Sequence, residues 1–552
     1  MNLKHWILGA ALVGASSVFA ALPTAAQVQA NMGMGYNIGN TMEVPGDPTG
    51  WGNIFPTQAY MDSIKAAGFS TVRIPCAWDS HASNNVINTT WLDSVQTVVD
   101  YAMNAGLYTV LNIHWDGGWL QDDDFTSAKS NIVAKQQAYW TQIANRFVNY
   151  DEHLLFSGMN EPGLNLTWSS SLIPALVKYQ QTFIDAVRAT GGNNATRTLI
   201  VSGPKTGIDE TYNYYTTMPT DNVSGYLMVE IHYYDPYLYT LMIEEADWNA
   251  GESILPQYYY GDYLSTTEIK RNAGYNAWAK SVDDSLASIK HANGQFAKMK
   301  TAFIDKGYPV IIGEFGANLH TDALSGSALT QHKNGRIQWH KDVATAAKNY
   351  GLTPILWDMG NESSTLDNMC YIRHSLANAS TAGKVVDVDV INALRGVYGL
   401  GDYVNTGVSS SSATTYSSSS VIAIASSSST NRNDNSSSSV IASSSSSVIA
   451  SEAWQSSSSE IASSSSSPRN DNSSSSGEWT TAIDAKVAVN ASLHLENNVL
   501  SAEKDFVLFD VNGNLIRSVR VSGGAATLSL SNLHKGVYIA KSGANVIRFR
   551  VK

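Results

Sequence analysis

The sequence predicts an α/β protein: a (β/α)8 (TIM) barrel followed by a Ser-rich tether and a small all-β domain. Three observations lead there. A helix-glycine-strand unit recurs four times, four further apolar runs bring the strand total to eight, and the composition changes abruptly near residue 404.

Residues 1–20 hold Lys4, an apolar run from Trp6 to Phe19, and Val18-Phe19-Ala20 as a small-residue cleavage signal. This reads as a secretory signal peptide, too short for a spanning helix, so a secreted or outer-surface location is expected. Export permits disulfides, yet the chain has only Cys76 and Cys370. They either pair or stand as separate buried thiols, and no disulfide framework carries the fold.

The barrel is expected over 21–403. Its repeated unit is a helical stretch, a Gly, an apolar residue and a β-rich run. It occurs as Ala67-Gly68-Phe69 before Val72-Arg73-Ile74-Pro75, and as Ala105-Gly106-Leu107 before Leu111-Asn112-Ile113-His114. It returns as Lys306-Gly307-Tyr308 before Ile312-Gly313-Glu314, and as Tyr350-Gly351-Leu352 before Leu356-Trp357-Asp358. The Gly suits a helix C-terminus that turns through a left-handed conformation, and the run after it suits a parallel strand buried on both faces. Before the second copy, Trp91, Leu92, Val95, Val98, Val99 and Ala102 fall at helical spacing behind polar Asn88 and Thr89. Runs at Tyr36–Ile38, Leu154–Met159, Thr198–Ser202 and Gly225–Ile231 complete eight strands. No Gly-x-Gly-x-x-Gly follows the first strand, which argues against a dinucleotide site.

Residues 404–477 are Ser-rich, with Val-Ile-Ala recurring at 421, 440 and 448. Such sequence buries too little apolar area to offset its ordering entropy, so it is expected to be a flexible tether. Over 478–552 short apolar runs return: Phe506–Val511, Leu515–Val521, Ala526–Leu530, Val537–Ala540 and Val546–Val551. The Asn512-Gly513-Asn514 turn between the first two marks a hairpin in a small β-sandwich.

Composition narrows the function. A net charge of -12 argues against nucleic acid or an anionic membrane as partner, because phosphate binding needs a concentrated basic patch. Aromatic residues make up 10% of the chain, a supply that suits stacking on neutral sugar rings as well as core packing. His114-Trp115-Asp116 lacks a metal-ligand spacing partner, and Asp122-Asp123-Asp124 lacks that of a calcium loop and reads as solvated, so neither metal nor cofactor is expected.

In this barrel chemistry sits at the C-terminal strand ends. Those ends carry Arg73, His114, Asn160-Glu161-Pro162, His232 with Tyr234, Glu314 and Trp357. Each alone has a bland explanation: a turn, a rim ion pair, a satisfied core histidine, a packed ring. Together, in strand-end register, they supply what cleavage of a glycosidic bond requires. One carboxylic acid protonates the leaving oxygen and one carboxylate attacks across the sugar ring, at ~5 to 5.5 Å separation when configuration is retained. Glu161 and Glu314 are that expected pair. Glu230, just inside the sixth strand, reads as a supporting partner.

These residues, in this order, resemble the cellulases of glycoside hydrolase family five, and especially its fourth subfamily of endoglucanases and xyloglucan-active enzymes. The resemblance covers about 28–397 and rests on Met34-Gly35-Tyr36-Asn37-Ile38-Gly39-Asn40-Thr41, Val72-Arg73-Ile74-Pro75, Asn112-Ile113-His114, Asn160-Glu161-Pro162, Ile231-His232-Tyr233-Tyr234, Gly313-Glu314-Phe315-Gly316 and Trp357-Asp358. It implies that Glu161 is the acid/base and Glu314 the nucleophile, with Arg73 and Tyr234 hydrogen-bonded to Glu314 and Asn160 on the sugar 2-hydroxyl. It further implies that His114 and His232 line the cleaved subsite over a Trp357 floor, and that Asn37 and Trp115 contact substrate. Trp115 stands where the family often has a second His, and Met359 where it usually has Asn. The implied activity is secreted, retaining endo-β-1,4-glucanase action on cellulose or related β-glucans, with xyloglucan, lichenan, xylan or mannan as alternatives. Phe509-Asp510-Val511-Asn512-Gly513-Asn514 and Lys535-Gly536-Val537-Tyr538-Ile539 resemble a type nine secretion sorting domain, so 478–552 are expected to meet secretion machinery or the cell surface. A carbohydrate-binding module is the competing reading of that region. A catalytically silent surface glycan-binding protein is the rival from another class, disfavoured because both carboxylates are present.

Overall fold

A computed structural model describes residues 21–404 except 244, 250–251, 265–285 and 363–367, and beyond 482 the strands of the C-terminal region. The expected signal peptide, most of the Ser-rich tether and the Asn512-Gly513-Asn514 turn lie outside the described residues. The chain divides into two compact units, Met1–Ser410 and Ser411–Lys552.

The first unit is a closed barrel of eight parallel strands in sequential order. They are β1 (Gly35–Asn37), β2 (Thr71–Ile74), β3 (Tyr108–Asn112), β4 (Leu154–Ser157), β5 (Leu199–Ser202), β6 (Leu227–Tyr233), β7 (Val310–Phe315) and β8 (Leu352–Leu356). Closure pairs Gly35 with Ile355 and Tyr36 with Leu356. The glycines that punctuate the repeated unit, Gly68, Gly106, Gly307 and Gly351, all have positive φ, between 69° and 104°, which L side chains adopt only under strain. The helix Thr89–Asn104 begins on Asn88, whose side chain accepts from Thr90 N, and buries Trp91, Val95, Val98, Val99 and Ala102 as its spacing predicts.

Alternation along each strand sends one residue set inward and the other against the helices. Inward, Tyr108, Val110, Leu155, Ile200, Met228, Ile311 and Ile355 form an apolar layer. Ala25, Val28 and Met32 of the helix Ala25–Met32 pack on it. Ala25 N donates to Gly225 O, just before β6, so this helix seals the end where the strands begin. Sequence reading did not anticipate it. Towards the other mouth the interior turns polar: Asn37, Arg73, Asn112, Ser157 and Glu230 are all fully buried.

One open alternative is decided and one expectation needs correction. Cys76 and Cys370 are both free and buried, so they do not pair. Asp123 is not solvated: it is buried, ion-paired to Lys129 at 2.5 Å, and accepts hydrogen bonds from Tyr179 Oη and Phe125 N. The aspartate run anchors its loop. Among the described residues no helix is long and apolar enough to cross a membrane.

The second unit is antiparallel. One sheet orders Ile483–Asp484, Asn545–Val551, Gly536–Ser542, Phe506–Asp510 and Leu515–Val519; the other orders Leu493–Glu496, Val499–Ala502 and Ala526–Ser529. Leu500, Ala502, Phe506, Leu508, Leu530, Tyr538 and Ala540 form its core. The five expected strands appear within a residue or two of their bounds. The three earliest were missed because they are short, two to four residues each.

Candidate active site

Two backbone irregularities aim the expected carboxylates. Glu161 follows β4 with φ +40, a conformation costly for a residue with a Cβ and one that clusters at functional sites. On β7 the register against β6 shifts between Ile312 and Glu314, a bulge that sets Glu314 opposite His232. The bulge residue is Gly313, and a Cβ there would overlap the Glu230 carboxylate.

The outcome is one cluster. An oxygen of Glu161, an oxygen of Glu314 and a ring nitrogen of His232 all lie within 4.8 Å of one another. Glu161 is the more open carboxylate, its side chain 21% exposed against 7% for Glu314. Glu314 Oε1 accepts from Arg73 Nη1 at 3.0 Å, and Oε2 accepts from Tyr234 Oη at 3.0 Å. Burial, with a smaller push from the Glu161 charge, holds the Glu314 carboxyl above the usual carboxylate range, and His232 and Arg73 only partly offset it. Since both of its oxygens accept from donors, the ionised form fits this geometry.

Arg73 is the hub beneath the pair. Its Nη1 also donates to Asn37 Oδ1 at 3.0 Å and its Nη2 to Asn160 Oδ1 at 2.7 Å. Its Nε stands 3.0 Å from Glu230 Oε1, a charge–charge contact rather than an aligned hydrogen bond. Asn37 departs from its expected place: it is fully buried, with Nδ2 on Gly313 O and Oδ1 on Arg73, and has no surface for substrate. Asn160 spends only its oxygen on Arg73, which leaves its amide N–H groups as donors.

His232 Nδ1 lies 3.0 Å from Glu161 Oε1 and 3.6 Å from Glu314 Oε2, and Nε2 lies 3.4 Å from Glu230 Oε1. Burial alone would lower this imidazole, but the three carboxylates outweigh it and carry it up to about 9. Glu161, His232 and Glu314 have the reach of a metal triad, but here both His232 ring nitrogens face carboxylates, which suits a protonated ring that donates to them. His114 is the opposite case, held well below the usual histidine range by burial, then by Arg73 and His232. Its Nδ1 lies 3.3 Å from Asn112 Nδ2, an amide donor, so the neutral ring carries its proton on Nε2. The His114 ring is nearly parallel to Trp357, 9° between planes and 5.8 Å between centroids.

Trp357 reaches this position because Gly39 leaves room: a Cβ on Gly39 would stand 3.0 Å from the indole. Asp358 pins the following loop by accepting from Tyr371 N and Ile372 N. Trp115 is half-buried, beside Asp116, which accepts from Trp78 N and Asp79 N. Ser157 and the central place of Glu230 escaped sequence reading. A lone charge in Leu227-Met228-Val229-Glu230-Ile231-His232, two residues before His232 and so on the same strand face, was the available signal.

Likeness to known proteins gives the family. Residues 35–363 match the family described as cellulase (glycosyl hydrolase family 5). Endoglucanase A of Paenibacillus barcinonensis is 38% identical over 362 residues, 61% of this chain and 83% of that protein. A xyloglucan-specific endo-beta-1,4-glucanase of Bacteroides ovatus is 33% identical over 383 residues, 65% of this chain and 70% of that protein. Among solved structures, a xyloglucan-specific beta-1,4-glucanase from a ruminal metagenomic library, in complex with XXLG, superposes with TM-score 0.57 at 35% identity, covering 69% of this chain and 98% of that one. A GH5-4 broad specificity endoglucanase from Bacteroides salanitronis superposes with TM-score 0.56 at 32% identity, covering 72% and 100%. With a family match over more than half its length and a strand-end site of the matching chemistry, the chain belongs to glycosyl hydrolase family 5, the cellulase family, and is a glycoside hydrolase.

Proposed function

We propose that the chain is a secreted endo-β-1,4-glucanase that cleaves internal β-1,4-glucosidic bonds of cellulose or related β-glucans with retention, Glu161 acting as acid/base and Glu314 as nucleophile. The observation that carries this is the approach of the two carboxylates, nearest oxygens within 4.8 Å, which suits direct attack rather than activation of an intervening water. Glu161 gives its proton to the leaving oxygen while a Glu314 oxygen bonds to the anomeric carbon. The Glu314 charge disappears in that bond, so Glu161, now a carboxylate, takes a proton from water as the water displaces Glu314. Arg73 and Tyr234 hold Glu314 in line, Asn160 offers its amide to a sugar hydroxyl, and Trp357 with His114 and Trp115 presents ring faces to the sugar.

Trapping with a 2-fluoro glycoside and peptide mapping tests the assignment, with the product anomer read by NMR. The expected label is on Glu314 and the first product is the β-anomer; a label elsewhere or an α-anomer refutes it. Xyloglucan is the second reading, favoured by the likeness to two xyloglucan-specific relatives. Initial rates on xyloglucan, lichenan, carboxymethylcellulose, xylan and mannan rank the alternatives. The C-terminal unit is proposed as a sorting domain for export and surface display, and deleting 478–552 should then retain the enzyme inside the cell.

A further inference from the structure

We infer that Glu230 is a positioning residue of the reaction, whose carboxylate fixes Arg73 and His232 in the orientations in which they serve Glu314 and Glu161. The inference rests on the roles proposed above. Glu230 lies on β6 two residues before His232, on the same inward face and one layer deeper. It is fully buried, where a carboxylate must be paired on both oxygens. Oε1 faces Arg73 Nε at 3.0 Å and His232 Nε2 at 3.4 Å, and Oε2 accepts from Ser157 Oγ at 2.5 Å. The opposite wall is shaped for it: a Cβ on Gly313 would come within 2.7 Å of Glu230 Cδ. Burial opposes its charge, but Arg73 and His232 hold it down at about 2, so it is an anion wherever the enzyme works.

Two consequences follow. The permanent acceptor at Nε2 keeps a proton on that nitrogen, so Nδ1 is always the one turned to Glu161 and Glu314. The anchor at Nε likewise turns the guanidinium fork towards Glu314 and Asn160. The charged and titratable groups facing His232 are Glu161 after β4, Glu230 on its own strand and Glu314 on β7, with His114 acting electrostatically after β3. Counting charges, Arg73 and His232 balance Glu230 and Glu314 before attack. After attack Glu314 is a neutral ester and Glu161 a carboxylate, so the sum is unchanged. Without the Glu230 charge one buried cation is in excess in both states, and the site relieves it by releasing the His232 proton at lower pH.

The test is Glu230→Gln in the full chain, an isosteric change that removes only the charge. On an aryl β-cellobioside, kcat per site titrated with the 2-fluoro glycoside should fall about 10- to 100-fold, the range for losing a carboxylate that orients a working histidine. KM should change little, and the alkaline limb of the kcat/KM profile should move to lower pH. Ser157→Ala keeps the charge but removes a competing donor, so Glu230 pulls harder on the His232 proton and the limb should move the opposite way, to higher pH, by less. An unchanged pH profile with normal kcat per titrated site overturns the inference, leaving Glu230 a folding residue; if Glu230→Gln does not fold, an unshifted Ser157→Ala profile does the same. Should the parent itself not be labelled at Glu314, the reaction reading fails first and takes this inference with it.

Discussion

Replacing Arg73 with Lys keeps the charge and removes the fork, which separates geometry from electrostatics at the centre of the site. The guanidinium serves Asn37 Oδ1, Asn160 Oδ1, Glu314 Oε1 and Glu230 Oε1, all at 2.7 to 3.0 Å. A compact ammonium on a flexible stem cannot span that arc, and it will settle between the two carboxylates, where charge holds it. Both amide oxygens then lose their donor in buried surroundings. At about 1–3 kcal/mol for each unsatisfied group, the unfolding free energy should fall by about 2–6 kcal/mol. Urea titration followed by Trp fluorescence reads this well, since most of the chain's 14 Trp lie in the barrel sequence. With Asn160 released and Glu314 free to shift by about 1 Å, kcat should fall about 100-fold. A variant within 0.5 kcal/mol of the parent (the ordinary scatter of about ±0.5 for surface changes) and with near-parent kcat would show that charge alone suffices and refute the hub.

Three further outcomes are expected. Gly313→Ala should displace the Glu230 carboxylate and Glu314 together, lowering kcat by about 100-fold while binding of cellotriose, measured by calorimetry, persists. His232 is raised in the folded state, so the stability it contributes is complete below about 6.5, its unfolded value, and is lost as pH rises through about 9; the urea midpoint should therefore decline between those pH values, and a His232→Asn variant should not show that decline. Asn88→Ala removes the cap of Thr89–Asn104 far from the cleft and should cost ~1 kcal/mol in urea unfolding with kcat unchanged.

The barrel was legible because its punctuation is local. Gly68, Gly106, Gly307 and Gly351 each sit where a helix must reverse into a strand, and the runs after them are apolar on both faces. The strand-end residues were legible for the same reason, since a parallel barrel carries every strand end to one mouth. What pairs across the barrel was not. Ser157 reaches Glu230 only because of how β4 and β6 are staggered, and no local pattern encodes that stagger. Asn37 looked like a substrate contact because its neighbours form a recognisable phrase; its burial depends on the Arg73 side chain arriving from the next strand. Asp123 looked solvated because three adjacent acids usually are, and Lys129 with Tyr179 reverses that. The plugging helix Ala25–Met32 is only eight residues long and its apolar residues are mostly small alanines, so its role appears only when the barrel interior closes above it.

That plug bears on proton traffic. With an apolar floor and a helix stacked under the charged layer, the described residues close the end where the strands begin, and Glu161, the more open carboxylate, faces solvent on the side of the cleft mouth. A polysaccharide lying there covers that mouth. In the proposed reaction the proton that leaves Glu161 and the one that returns then pass between the carboxyl group, the departing sugar and the arriving water at that mouth, on the side away from the plug.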